Sequence, residues 1–190
     1  MIINGKYIRL RTIEVQDADI TLRWRSYERA KHLNKGAETV QEQESWIKSR
    51  PENEVNFIIE LKDGNPLGMI SLVDIDHANK RAESARFLIG EEEKCQGVPV
   101  AAEAMLLLYE HAFSSLKLNK VYGYILNTNK MMIKWQKFLG MKLEGVWREH
   151  FWVDNKPIDA SLMGILASEF YENALEKFNL LIKMNNKGEK

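Results

Sequence analysis

The sequence has one cysteine, four prolines and no net charge. Cys95 alone cannot close an internal disulfide, so a reducing, cytoplasmic compartment is expected. The 27 basic residues are balanced by 27 acidic ones. That argues against nucleic-acid binding through a strong basic field. No apolar run approaches the ~20 residues needed to span a bilayer. The opening residues, Met1 to Lys6, have no apolar signal region, so no membrane partner is expected. No metal is expected either. There is no internal repeat, and the one low-complexity stretch, residues 185–190, reads as a frayed tail. What remains is 190 residues, 45% hydrophobic and 28% charged, which suits one globular domain with a real core.

Periodicity divides the chain into short elements. Tyr7 to Thr12 alternates apolar and basic residues, as a strand with one wet face does. Asp17-Ala18-Asp19 opens a helix carrying Ile20, Leu22, Trp24 and Arg25. Thr39 with Glu42 is a capping-box pattern opening a second helix, whose buried side would use Val40, Trp46 and Ile47. Val55 to Leu61 and Pro66 to Val73 form a hairpin around Asp63-Gly64. Asp74 to Arg81 reads as a polar loop, and Ala82 to Ile89 as a strand ending at Gly90. The helix from Pro99 to Leu116 has Met105, Leu108, Tyr109, Ala112, Phe113 and Leu116 at three-and-four spacing. Lys120 to Leu126 is a strand, and Lys130 to Leu139 a helix stopped by Gly140. Met141 to Val153 is mostly extended, Asp154 to Pro157 a turn, and Ile158 to Leu166 the last strand. Ser168 to Lys183 closes the chain as a helix. The order implies an α/β (α+β) domain, with a mixed sheet and helices on both faces. The expected division is a domain over 1–168, a C-terminal helix over 169–184 and the tail.

The stretch from Glu92 to Met105 joins a strand to a helix through a short turn. Backbone N–H groups at a helix start, together with the helix dipole, favour an anion. Gln96-Gly97-Val98-Pro99-Val100-Ala101-Ala102-Glu103-Ala104-Met105 resembles the coenzyme-A loop of the GNAT acetyltransferases. The stretches Asn129 to Met141 and Glu144 to Lys156 resemble the second helix and final hairpin of the branch that includes ribosomal-protein N-terminal acetyltransferases. Trp24-Arg25 is similar to a pair in enzymes acting on nucleotide-linked amino sugars. Val73 to His77, with Arg81-Ala82-Glu83, is similar to a stretch of spermidine acetyltransferases. The resemblance covers Tyr7 to Leu166 in the family's order. It implies a single-domain GNAT fold, with a mixed, mostly antiparallel sheet and acetyl-CoA as co-substrate.

Acetyl transfer to an amine needs a proton acceptor and N–H donors at the developing oxyanion. The resemblance puts those donors on a bulged strand at Phe87, Leu88 and Ile89, where an ordinary buried strand is the simpler reading. It puts the coenzyme's phosphates on Gln96, Gly97, Val98, Pro99, Val100, Ala101 and Ala102. Pro99 stands where the family usually has glycine and lacks an N–H, leaving donors among Gly97, Val98, Val100, Ala101 and Ala102. Asn129 would touch the pantetheine arm, or serve as a helix N-cap. The base candidates are Glu83 and Glu103, then Asp74, Asp76 and His77. Glu83 could equally pair with Arg81 or Arg86, and Glu103 could be an ordinary first-turn acid. The family's usual proton-donating tyrosine is replaced by Gln136, and a serine used by some members by Met132. Trp24, Arg25, Trp147 and His150 are the candidates for the acceptor cleft.

The leading expectation is an acetyl-CoA-dependent N-acetyltransferase acting on a small primary amine. An amino sugar or its nucleotide ranks first, a polyamine second and a protein N-terminus third. A non-catalytic acyl-CoA binder or sensor is the competing class, suggested by Pro99, Gln136 and Met132. A homodimer is also among the expectations.

Overall fold

A computed structural model describes residues 1–33 and 36–184. The expected tail, 185–190, lies outside the described residues. In these residues an eight-stranded sheet runs in the order β1-β2-β3-β4-β5-β6-β8-β7. Its strands are β1 (Ile2–Asn4), β2 (Ile8–Thr12), β3 (Val55–Leu61), β4 (Pro66–Asp76), β5 (Arg81–Ile89), β6 (Lys120–Leu126), β7 (Lys142–Val153) and β8 (Lys156–Leu166). Every neighbouring pair is antiparallel except β5 and β6.

Alternation along the strands feeds two cores. On one face, Phe57, Ile59, Ile70, Leu72, Ala82, Val121 and Met163 pack with α3 (Val100–Glu110) and with the C-terminal segment. That segment comprises α5 (Ala167–Glu169), a π-helical turn over Phe170–Ala174 and α6 (Leu175–Met184). Phe170, Ala174, Phe178 and Ile182 bury its inner side. On the other face, Ile58, Met69 and Leu88 pack with α1 (Ala18–Arg25) and α2 (Val40–Lys48). The remaining helix, α4 (Lys130–Phe138), lies between β6 and β7 in the chain, and its Trp135 packs against the α3-side core. No helix of the described residues is long and apolar enough to cross a membrane.

Most element expectations hold to within a residue or two. Thr39 caps α2 by accepting from the Glu42 amide at 3.2 Å, while the Glu42 carboxylate reaches the Glu38 amide rather than Thr39. Gly140 sits at φ +106, a conformation open to glycine where α4 stops. Asp154 and Asn155 both have positive φ, the signature of a two-residue hairpin between β7 and β8. The expected polar loop from Asp74 to Arg81 is corrected. β4 runs through Asp76, β5 begins at Arg81, and only residues 77–80 form the connection. The helix expected to run from Pro99 to Leu116 is α-helical to Glu110 and widens to a π-helical turn over His111–Ser115. β1 has no counterpart among the expected strands.

Candidate functional site

The parallel pair β5–β6 holds together for only three residues, Arg81↔Lys120, Ala82↔Val121 and Glu83↔Tyr122. Beyond them β5 keeps its pairing to β4, and β6 its pairing to β8. The two middle strands therefore diverge, and among the described residues the edge of β5 facing β6 has no strand partner over 84–89. Gly123 stands at the point of divergence, where a Cβ would lie 3.0 Å from the Ser84 carbonyl. The result is a V-shaped cleft in mid-sheet, with the starts of α3 and α4 at its mouth.

β5 is bulged on one wall of this cleft. Its register against β4 slips between Leu88↔Met69 and Ala85↔Ser71, and Arg86 has φ +55. Ala82 faces the α3 core, so strict alternation would bury Arg86 there as well. The bulge instead turns Ala85 and Arg86 to the α1/α2 face, with Phe87 returning to the α3 core and Leu88 to the α1/α2 core. The expected irregularity near Phe87, Leu88 and Ile89 is thus centred one residue earlier. A second slip, between Val73↔Glu83 and Asp76↔Arg81, coincides with φ +49 at Asp74. Ile75 returns to the α3 core, so Asp74 joins Val73 on the other face.

Two bulges therefore place Asp74 and Arg86 around Glu83 on the α1/α2 face. Glu83 is half-buried, and among the described residues its carboxylate has no hydrogen-bond or ion-pair partner. Burial, then the negative charge of Asp74, push its proton affinity up to about 7, against a smaller opposing pull from Arg86. A carboxyl group with that affinity can accept a proton near neutral pH. Tyr122 borders the same ground, and its hydroxyl is held protonated mainly by burial, then by the charges of Glu83 and Asp74. Asp74, Asp76, His77 and Tyr122 line a cavity of about 450 Å³. Asp76 is engaged by the Asn79 amide at 2.8 Å and by Arg81 at 3.6 Å, and His77 is exposed.

The other expected base is corrected. The Glu103 side chain lies under the β1–β2 connection, with the residue 2% exposed. It accepts the amides of Lys6, of Tyr7 at 3.1 Å and of Ile8 at 3.3 Å. Gly5 permits this approach, since a Cβ there would meet Glu103 Oε1 at 2.5 Å. Glu103 is a structural acceptor that ties α3 to the N-terminal strands.

At the cleft mouth, Gly97 has φ +74 and nothing within 4 Å of where a Cβ would stand. The Val98 amide donates to Cys95 O at 3.0 Å and the Val100 amide to Val98 O at 2.9 Å, which removes both from the expected donor set. Pro99 caps α3, and its carbonyl accepts from Glu103 N at 3.0 Å. Among the described residues the amides of Gln96, Gly97, Ala101 and Ala102 have no acceptor. Gln96 and Gly97 are exposed, so the loop presents N–H groups at a helix N-terminus, a setting suited to a phosphate. Asn129 caps α4 by accepting from Met132 N at 3.1 Å.

The loop is tied to α1. Trp24 is fully buried, packs on Gly90, and donates its indole N–H to Glu91 at 2.8 Å, where Arg23 also binds at 2.8 Å. Trp24 is therefore a structural anchor and not an acceptor-lining ring, which corrects that expectation. Arg25, half-buried, does face a cavity of about 810 Å³ beside Tyr27, Leu33 and Glu38. Trp147 and His150 are exposed on β7, with centroids 4.6 Å apart, and Trp147 leans on Tyr124 of the splayed β6. Gln136 is buried and accepts from the Tyr109 hydroxyl at 3.2 Å, so neither side chain reaches the cleft. Cys95 donates to Glu91 O at 3.3 Å, and burial pushes its thiol pKa up. Among the described residues no group of His, Cys, Asp or Glu is arranged to hold a metal ion.

Comparison with known proteins places this geometry. The chain is 29% identical over 119 residues to the spermidine N(1)-acetyltransferase of Escherichia coli K12, a match covering 63% of this chain and 62% of that protein. It superposes on a GCN5-related N-acetyltransferase from Brucella melitensis with a TM-score of 0.79 at 24% identity, covering 95% of this chain and 85% of that one. It superposes equally, at 22% identity, on the spermidine N-acetyltransferase of Vibrio cholerae solved with CoA and spermine, covering 88% of this chain and all of that one. Residues 8–142 match the acetyltransferase (GNAT) domain, and the chain belongs to that family.

Proposed function

We propose that the protein transfers an acetyl group from acetyl-CoA to a primary amine of a polyamine. The observation that carries this reading is Glu83, a half-buried carboxyl beside the neck of the cleft with its proton affinity raised to about 7. The coenzyme would lie in the V. Its pyrophosphate would meet the amides of Gln96, Gly97, Ala101 and Ala102, and its thioester would lie along the unpaired edge of β5. The amine approaches from the α1/α2 face as an ammonium, near ~10 in pKa, and gives up a proton to Glu83. Its nitrogen lone pair attacks the thioester carbonyl, the C–S bond breaks with coenzyme A leaving as a thiolate, and the second proton, shed by the nitrogen as the amide forms, passes to that thiolate or to solvent. A thiol pKa near ~8.5 makes that departure feasible without the usual tyrosine.

The polyamine is placed ahead of the amino sugar, which reverses the ranking drawn from the sequence. The spermidine relatives support this order, as does the charge layout. Arg25 and Arg86 stand on the α2 side of Glu83, and Asp74 and Asp76 on the hairpin side. A second ammonium on the acceptor would be repelled from the first pair and drawn to the second. Incubation with acetyl-CoA and a panel of spermidine, glucosamine, a nucleotide-linked amino sugar and peptides, read by mass spectrometry, tests the reading. Acetylspermidine is expected. Product on the sugars or the peptides alone overturns the polyamine assignment, and coenzyme binding with no product on any amine overturns catalysis in favour of a sensor.

A further inference from the structure

The side chain that most needs an explanation is Arg86. It is a non-glycine residue at φ +55, in the left-handed region that β-strands avoid. Its guanidinium is held on three sides. Nη1 donates to Asn56 Oδ1 at 3.0 Å, Nη2 lies 3.3 Å from Glu54 Oε2, and the group sits 5.2 Å from the Trp46 ring centroid. Asn56 Oδ1 also accepts from the Ser71 hydroxyl at 2.6 Å. Asn56 is 3% exposed and Ser71 fully buried. Ser71 lies opposite Ala85, the residue before the bulge. The rungs thus run Asn56 on β3, Ser71 on β4 and Arg86 on β5, directly under the irregularity. Glu54 continues the ladder to Arg50, 3.3 Å away, whose guanidinium lies 4.3 Å from the same Trp46. A polar ladder of this kind, satisfied at each rung, can hold a backbone distortion that the strand itself would relax.

We infer that Arg86 is a positioning residue, whose buried ladder to Asn56, Ser71, Glu54 and Trp46 holds the β5 bulge in the geometry the thioester needs. The inference rests on the acetyl-transfer reading, because it is the bulged edge of β5 that would meet the thioester carbonyl. A second consequence follows from the same placement. Glu83 is faced by Asp74 from β4, by Arg86 from β5 and by Tyr122 from β6, with Arg25 of α1 beside Arg86, and Arg86 is the cation whose charge acts on it. Arg86 should therefore set the proton affinity of the base as well as the shape of the oxyanion site.

The test compares Arg86→Gln, Arg86→Lys and Ser71→Ala with the unaltered protein. Calorimetry reads acetyl-CoA and CoA binding, thiol release reads kcat/KM against pH, and melting reads stability. Arg86→Gln is expected to weaken acetyl-CoA about tenfold more than CoA, and to move the acidic limb of kcat/KM upward by about half a unit. Arg86→Lys should keep the limb in place yet lose part of the acetyl-CoA preference, since an ammonium cannot reproduce the planar fork. Ser71→Ala should reduce the same preference with the limb unmoved. If the variants melt earlier but keep both the preference and the limb, Arg86 is purely structural and the inference falls. Loss of turnover in Arg86→Gln through misfolding leaves Ser71→Ala and Arg86→Lys to decide. An unaltered protein that binds acetyl-CoA no better than CoA and shows no acidic limb sinks the acetyl-transfer reading itself, and the inference with it.

Discussion

Glu83 and Glu103 share a side chain, flank the same cleft-forming segment and meet opposite surroundings. Glu103 stands in the first turn of α3, points into the N-terminal strands and takes backbone amides from three successive residues. Glu83 stands where β5 and β6 part, and is left with burial and a neighbouring carboxylate. Satisfied lone pairs make Glu103 part of the scaffold. Unsatisfied ones, in a half-buried place, suit Glu83 to the proton-accepting role proposed for it. The difference comes from the backbone: Glu103 lies beneath a turn that offers N–H groups, and Glu83 lies between two bulges that turn charged residues to its side.

Exchanging each carboxylate for an amide probes this contrast directly. Glu83→Gln should lower kcat/KM by about 10²- to 10⁴-fold at pH 7.5, the range set by loss of a positioned base. Glu103→Gln should change kcat less than about threefold, because its carboxylate meets neither coenzyme nor amine in the proposed site. The comparison is inverted if Glu103→Gln abolishes thiol release with its melting temperature intact while Glu83→Gln turns over normally.

Stability should report the opposite order. Removing the Glu103 carboxylate leaves the amides of Lys6, Tyr7 and Ile8 without their acceptor, and Ile8 is fully buried. Glu103→Ala should cost about 2–4 kcal/mol in equilibrium unfolding, against about 1–3 kcal/mol for one orphaned polar group. Urea denaturation of Glu103→Ala beside Glu83→Ala, which should cost less, would check it. A cost under half a kilocalorie would mean the β1–β2 connection finds other partners.

The contrast between the two glutamates was only partly legible in the sequence. Most strands and helices announce themselves by periodicity, by the Asp63-Gly64 turn or by the caps at Thr39 and Gly140. The loop at Gln96 and Gly97 was legible through its residue pattern. What escaped was non-local. Glu103's partners are some 95 positions away and are backbone groups, which carry no side-chain signature. Trp24 beside Arg25 resembled an acceptor-binding pair, but its indole is spent on Gly90 and Glu91. One sign of the bulge was available. Ala82 and Arg86 fall on the same side of an ideally alternating strand, and a guanidinium in the α3 core is untenable, so the pleat had to break between them. The Asp74 bulge offered no comparable sign, because Asp74 and Asp76 read more simply as a loop.

The pH dependence sharpens the same comparison from another side. Folding raises the proton affinity of Glu83 from 4.5 to about 7, so the folded state favours the protonated form. The stability this contributes is complete below about pH 4.5 and is lost as pH rises through 7. Glu83→Gln should therefore raise the melting temperature more at pH 8 than at pH 5. Activity runs the other way, since the proposed base works ionised, and kcat/KM should rise through an acidic limb near 7 that Glu83→Gln removes. Melting curves and initial rates over pH 5 to 9 check both. A limb that survives in Glu83→Gln belongs to another group.

The smallest expected effect distinguishes two side chains with the same local task. Thr39 and Asn129 each cap a helix by accepting an amide, from Glu42 at 3.2 Å and from Met132 at 3.1 Å. Thr39 opens α2, and Asn129 opens α4 at the mouth of the cleft, where the pantetheine arm of the coenzyme would pass. Replacing either by alanine should cost about 1 kcal/mol of stability. Only Asn129→Ala should also weaken CoA, by a few-fold, because only its amide nitrogen remains to donate to the coenzyme. Asn129→Asp keeps the cap and drops that donor, so it should restore stability without restoring affinity. Equal CoA affinity in Thr39→Ala, Asn129→Ala and Asn129→Asp would reduce Asn129 to a cap and confine coenzyme recognition to the loop before α3 and the free edge of β5.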